Sequence, residues 1–471
     1  MEESAMRISA IAAIICVSIS ATAALAAPGD LVWSFDTGAE TYTGPAVSDG
    51  YVYVGSDSRK VFCINSASGV EKWVYTTGGA VFASPAVSDG RVYVGSWDHY
   101  MYCLDGLTGL VIWTYPADGS ISSSPAVDGG CVYVGSDDGK VYCLDAVTGA
   151  LVWSHQTGDA VRSSPAVVGG YVYVGSADNK IHCLDVATGW PVWSSGETGA
   201  DVDSSPAVTE LYVYVGSDDG NVYCLEADTG SPVWSYGTGG EVFSSPAVSG
   251  DYVYVGSDDG NVYCLEAHTG SPVWSHGTGG GVFSSPAVSG GYVYVGSGDH
   301  YVHCLDAATG GSVWSHGTGD AVRSSPAVSD GHVYVGSHDR NVYCIEAGAG
   351  DPGEWPMFRH DLPRSGVAGY APPPPPVFEV DLTTNWNLIG YLRADDRPYL
   401  LAGCYIDDGS ATMSWDDAVA AGLVQPYIYY YVVPHGYRIL ATSGGDDDSW
   451  RSERGYWLLT NQPGLTLIIP R

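Results

Sequence analysis

Twelve histidines and eleven cysteines are the side chains in this chain best equipped for metal, redox or nucleophilic chemistry. Eight of the cysteines recur at a fixed spacing: Cys63, Cys103, Cys143, Cys183, Cys224, Cys264, Cys304 and Cys344. No two cysteines are adjacent, and neither C-x-x-C nor C-x-x-C-H occurs, so the usual zinc and haem signatures are missing. Equivalent cysteines on packed neighbouring sheets would stand ~10 Å apart, beyond the ~7 Å that a disulfide spans. They are therefore expected to be reduced and buried, each acting as a small apolar residue. Cys131 and Cys404 fall off the pattern and suggest no role. The histidines are scattered. His155, His276 and His316 follow a repeating tryptophan by two residues, where Phe35, Tyr75 and Tyr236 stand elsewhere, which marks a packing position. His300 and His338 sit in turns beside Asp299 and Asp339, but a metal site needs ligands that converge within a few ångströms. The Asp-Asp-Gly turns (Asp218-Asp219-Gly220, Asp258-Asp259-Gly260) lack the alternating oxygens of calcium loops and read as hairpin turns. Neither G-x-S-x-G nor H-E-x-x-H is present, nor a phosphate-binding loop. No catalytic residue and no metal site is assigned.

The elements that hold these residues come from a repeat. Pro-Ala-Val recurs with its proline at Pro45, Pro85, Pro125, Pro165, Pro206, Pro246, Pro286 and Pro326. Each step is 40 residues, except one of 41 where a residue is added in the stretch 194–199. Val-Gly-Ser and then the cysteine follow in each unit, and a tryptophan recurs at Trp33, Trp73, Trp113, Trp153, Trp193, Trp234, Trp274 and Trp314. Such a period signals a propeller or solenoid. Within a unit the apolar period is two, which means strands. In the third unit these are Ser123–Val127, Cys131–Val134, Val141–Leu144 and Leu151–Trp153, enough for one four-stranded propeller blade. The fold class is thus all-β, an eight-bladed propeller of antiparallel blades. Trp33 precedes the first Pro-Ala-Val, while after Glu346 the eighth unit has Ala349-Gly350 for Thr-Gly and Glu354 where tryptophan is due. The strand around Trp33 is expected to complete the eighth blade and close the ring.

Cys143-Leu144-Asp145-Ala146-Val147-Thr148-Gly149-Ala150-Leu151-Val152-Trp153 resembles the tryptophan-docking motif of the pyrroloquinoline-quinone (PQQ)-type propeller repeat, with cysteine where the family usually has alanine. The resemblance covers roughly residues 28–350. It implies that each tryptophan packs against the neighbouring blade. Family members include quinone-dependent alcohol dehydrogenases and non-enzymatic envelope proteins. The dehydrogenases carry an adjacent Cys-Cys pair and irregular blades, both missing here, so neither PQQ nor calcium is expected as a cofactor. Trp355–Asp361 resembles a segment found beside such propellers.

Residues 1–27 read as a signal peptide: Arg7, an apolar run from Ile8 to Val17, and the A-x-A pattern Ala24-Leu25-Ala26. An uncleaved anchor is the alternative, and no later segment is long and apolar enough to span a membrane. Residues 28–350 form the propeller, 351–376 a connecting segment ending in the five prolines Pro372–Pro376, and 377–471 a small β-rich module. That module alternates apolar and polar residues at Phe378–Leu382, Tyr427–Val433 and Gly455–Leu459, with one short helix expected at Trp415–Ala421. Segments around Asn385–Gly390 and Gly455–Leu458 resemble a β module at the ends of prokaryotic surface proteins. With a net charge of −35 and only four lysines, the chain repels phosphate backbones, so nucleic acid is not a partner. Extracellular or cell-surface placement in a prokaryote is expected.

Comparing the units with one another locates a partner site. Three residues before each repeat proline the side chain changes freely: Tyr42, Phe82, Ser122, Arg162, Asp203, Phe243, Phe283, Arg323. The turn Trp97-Asp98-His99-Tyr100 also departs from its equivalents. In an antiparallel meander the blade-to-blade link and the second turn share one face, near the channel mouth. The expected binding set is Tyr42, Phe82, Arg162, Asp203, Phe243, Phe283, Arg323, Trp97, His99 and Tyr100, since aromatics and arginine dominate hot spots. Arg162 and Arg323, four blades apart, would receive an acidic or carboxylate-bearing segment. A protein partner is expected, or a glycan; the alternatives are a quinone-dependent oxidoreductase and a self-associating envelope component.

Overall fold

The computed structural model describes residues 27–348 in full and, beyond them, the backbone of ten strands between Phe378 and Ile469. From Leu31 to Glu346 run thirty-two strands, numbered β1 to β32 in chain order, in eight four-stranded antiparallel sheets. The first seven blades are sequential meanders. In the third, β10 (Ala126–Asp128), β11 (Cys131–Gly135), β12 (Lys140–Asp145) and β13 (Leu151–Gln156) pair in order. The inner strand is shorter than Ser123–Val127. Pro125 has no N–H to give a ladder, and Ser124 N donates to Ser164 Oγ of the next blade at 2.9 Å. That bond belongs to a chain of serines running around the ring, from Gly44 N on Ser84 Oγ to Ser285 N on Ser325 Oγ.

The eighth blade closes as the order of parts predicts. β1 (Leu31–Asp36) pairs antiparallel with β32 (Asn341–Glu346), placing Trp33 opposite Cys344. The sheet order β1-β32-β31-β30 removes the open edge that either chain end would leave alone.

Blades are stapled through their tryptophans. Trp73 Nε1 donates to Gly106 O of the following blade at 2.9 Å, and Tyr53 Oη donates to the same carbonyl at 3.2 Å. Trp113 and Tyr93 repeat the pattern on Ala146 O. The Thr-Gly glycine is required on two counts: Gly149 has φ +71°, and a Cβ there would lie 2.6 Å from the Trp113 ring. At the seam Gly29 (φ +89°), from the other end of the ring, packs on Trp314 instead. The Trp314 indole N–H finds no acceptor among the described residues.

All eight periodic cysteines are buried and free, as expected, and burial pushes thiols such as Cys63 up to about 12. Each lies opposite a core tyrosine, Cys63 opposite Tyr53 for example. The alternating segments of the tail correspond to strands Phe378–Leu382, Val424–Val432 and Gly455–Thr460. The helix expected at Trp415–Ala421 lies outside the described residues, as do the leader and the linker.

Candidate partner-binding face

Each link into a blade is tied to that blade's turn between second and third strands. Trp97 N donates to Ala80 O at 2.9 Å, Asp137 N to Ser120 O at 2.9 Å and Asp218 N to Asp201 O at 3.0 Å. Link and turn therefore share a face, and three positions per blade lie beside one another there. In the second blade these are Ala80, Phe82 and Trp97; in the fifth, Asp201, Asp203 and Asp218; in the sixth, Glu241, Phe243 and Asp258.

Contacts between blades divide these positions into two arcs. In the aromatic arc, Phe243 stacks on Phe283 (centroids 5.6 Å apart, 24° between planes), and the Arg323 guanidinium lies 4.4 Å from the Phe283 ring centre. Tyr42 meets His338 of the eighth blade at 4.4 Å and Phe82 of the second at 4.9 Å. Phe82 reaches Trp97 at 4.4 Å, and Trp97 Nε1 donates to Ser122 Oγ at 2.8 Å. Tyr42 donates its hydroxyl to Glu40, and burial together with that carboxylate pushes the phenol up to about 12.

The other arc is acidic. Arg162 lies 3.5 Å from Asp137 of the third blade, and 3.7 Å and 3.4 Å from Asp201 and Asp203 of the fifth. Burial, followed by the charges of Asp203, Asp201 and Glu241, pushes Asp218 up to about 7, and Arg162 opposes this incompletely. Burial also raises Asp203 and Asp137, against the pull of Arg162. One oxygen each of Asp203 and Asp218 is buried without a hydrogen-bond partner among the described residues.

This arrangement corrects one expectation. Arg162 stands among three carboxylates already, so a partner's carboxylate would enter a net-negative quadrant. Arg323 has no ion pair among the described residues, but its flat face is used by Phe283. The turn of the second blade also divides. Trp97 joins the aromatic arc, His99 lies near enough to Asp137 to lower its pKa, and Tyr100 packs back against Tyr102 of its own strand at 6.2 Å.

Sequence comparison missed a second ring on this face, the structural aspartates. Asp219 accepts from Tyr223 Oη at 2.6 Å, from Asn221 N at 2.9 Å and from Gly199 N of the incoming link at 2.7 Å. Asp138, Asp259 and Asp339 repeat this with Tyr142, Tyr263 and Tyr343, and Asp178 and Asp299 with His182 and His303 at 3.0 Å. In each Asp-Asp-Gly turn the first aspartate therefore faces the mouth and the second knots the blade. The cue was present in the sequence: the first unit has Ser58 and Phe62, losing both partners of the knot together. There Asp36 takes over the incoming link, accepting from Gly38 N at 2.8 Å.

On the opposite face, the turn Thr209-Glu210-Leu211 has no glycine, whereas its equivalents in the other seven blades each carry one or two. It borders a cleft of about 270 Å³ lined also by Tyr212, Asp251 and His268. Among the described residues no group of three or more His, Cys, Asp or Glu side chains is placed to hold a metal ion. No helix among them is long and apolar enough to cross a membrane.

Comparison with known proteins agrees with this architecture. Residues 19–123 and 258–355 match the family described as outer membrane protein assembly factor BamB. Residues 127–290 match the β-propeller of the beta-alanine-activating enzyme. Neither match extends beyond residue 355, and no curated protein sequence matches the chain. BamB from Moraxella catarrhalis is 24% identical, with a TM-score of 0.59 over 67% of this chain and 99% of that one. The computationally designed Ika8 protein is 21% identical, with a TM-score of 0.62 over 68% of this chain and 100% of its own. A europium-containing methanol dehydrogenase is 17% identical, with a TM-score of 0.55 over 65% of this chain and 85% of its own. At these identities the likenesses speak for the fold alone, and one fold carries many functions. The chain has the eight-bladed β-propeller fold, and within it residues 19–123 and 258–355 are similar to the BamB family.

Proposed function

We propose that this protein is a non-catalytic scaffold at a prokaryotic cell envelope that holds a partner protein at its channel mouth. The description of the matching family as an outer membrane assembly factor supports that setting. The partner segment carries at least one basic side chain flanked by apolar or aromatic ones. The observation that carries this reading is the division of the mouth into two arcs. Aromatic faces at Phe82, Trp97, Phe243 and Phe283 offer apolar area at low entropy cost. The acidic quadrant offers the carboxylates of Asp201, Asp203 and Asp218, and one buried oxygen each of Asp203 and Asp218 has no hydrogen-bond partner among the described residues. An incoming ammonium or guanidinium would satisfy them, and burying it there strengthens the charge-assisted bond. The reading requires no cofactor.

Capped hexapeptides alternating leucine with lysine, glutamate or serine test it by isothermal titration. At ~0.15 M salt the Debye length is ~8 Å, so the chain's diffuse charge is largely screened. The lysine peptide should still bind with one-to-one stoichiometry, at least ~10-fold more tightly than the glutamate peptide, a difference of ~1.4 kcal/mol. Equal affinity for the two would reject a cationic partner, and many weak sites for the lysine peptide would reduce the effect to bulk charge.

A further inference from the structure

In the third blade Cys131 opens β11 at a position where other blades carry Tyr51, Arg91, Tyr171 or His332. The pairing of β11 with β12 sets Cys131 opposite Asp145 and Tyr133 opposite Cys143. Cys131 and Cys143 are thus diagonal neighbours on one face of the sheet. Cys131 is half-buried and packs against the cluster containing Cys143 and Tyr133, whereas Cys143 has no exposed surface. Both therefore belong to one packed cluster, with the more accessible thiol at the strand's end. Among the described residues no other blade holds a second thiol.

We propose that Cys131 and Cys143 form a reversible thiol–disulfide pair, with Cys131 as the entry nucleophile and a small-molecule disulfide as the oxidant. The Cys131 thiolate attacks the oxidant RSSR; the new Cys131–S–S–R bond forms, the old S–S bond breaks, and RS⁻ leaves. Cys143, beside Cys131 on the same face, passes its proton to the departed RS⁻ and attacks the Cys131 sulfur; the Cys131–S–S–R bond breaks and the second RS⁻ leaves, to be protonated by solvent. In sum two thiols and RSSR become one protein disulfide and two RSH, and excess thiol runs the exchange backwards. The surroundings favour this order. The neighbouring Cys143 thiol holds Cys131 down to about 7, helped by Tyr133 and opposed by burial and by the charges of Asp145 and Asp128. The same interaction pushes Cys143 up. Diagonal neighbours in a sheet lie ~7–8 Å apart at Cα, just beyond the ~7 Å that a disulfide spans, so closing it requires a small backbone shift and the bond would be a strained, readily exchanged one.

Oxidised glutathione is the probe, applied to the full chain carrying Cys16→Ser and Cys404→Ser. Peptide mapping without reductant should find the Cys131 and Cys143 peptides joined, with the loss of two hydrogens, and reduced glutathione should separate them. The modification rate should rise with pH through about 7. Cys143→Ala should instead accumulate a stable glutathione adduct on Cys131. Cys131→Tyr places there the residue of the equivalent Tyr171, and should abolish both products. Should Cys143→Ala fail to fold, the parent and Cys131→Tyr decide the matter. A Cys131 left unmodified in the parent, or one that keeps a glutathione adduct without cross-linking, overturns the proposal.

Discussion

The two aspartates of the Asp218-Asp219-Gly220 turn look equivalent in the sequence and have opposite energetic signs in the fold. Asp218 has a folded pKa of about 7, above the ~4 of an unfolded aspartate. Below about pH 4 the carboxyl is protonated in both states and costs nothing. As pH rises towards 7 the unfolded chain ionises while the folded one holds its proton, so stability falls, and the full cost is present above about pH 7. Asp218→Asn should therefore match the parent near pH 4 and exceed it in urea-unfolding stability near pH 8. A variant no more stable than the parent at the higher pH would contradict this. Asp219, one residue on, has its carboxylate held by Tyr223, Gly199 N and Asn221. Asp219→Ala should cost ~1.5–3 kcal/mol in the same assay, as hydrogen bonds to charged groups do. The variable mouth positions were legible because eight units could be compared with one another. The knot was not, because a residue common to nearly every unit looks like turn chemistry until its tyrosine four residues on is seen to fold back.

At the level of strands and blades, the closing strand was readable from the order of the repeated parts and the tryptophan packing was implied by the resemblance to the PQQ-type repeat, whereas the glycine's close approach to the indole emerged only in the fold. The inner strand was misjudged because proline and a serine ring divert its backbone bonds to the next blade. The indole staples give a graded prediction. Trp73→Phe removes the bond to Gly106 O and should cost ~1 kcal/mol or more beyond the lost area, whereas Trp314→Phe gives up no acceptor among the described residues and should cost less. Equal costs by chemical denaturation would mean the seam is stapled like every other junction. Closure itself is tested by deleting residues 28–36. That leaves the β32 edge unpaired and removes buried Trp33, whose truncation alone is worth ~3–5 kcal/mol. The deletion should melt lower and aggregate; an unchanged melting temperature with a monodisperse monomer would refute the seam.

Residues 27–348 form a closed ring of repeats, whose irregularities lie at link and turn positions of one face and at the Thr209-Glu210-Leu211 turn of the other. A net charge of −35 draws cations towards every surface, so a specific site has to be separated from general attraction. Location makes that separation. The lysine hexapeptide is titrated against the parent, against Asp203→Asn with Asp218→Asn at the mouth, and against Glu210→Gln with Asp251→Asn beside the opposite-face cleft. Both double variants remove the same formal charge. The mouth variant should lose ~10-fold or more in affinity, consistent with two charged contacts removed, and the opposite-face variant less than ~2-fold. Equal losses in the two variants, or none at the mouth, would contradict a binding site at the channel mouth.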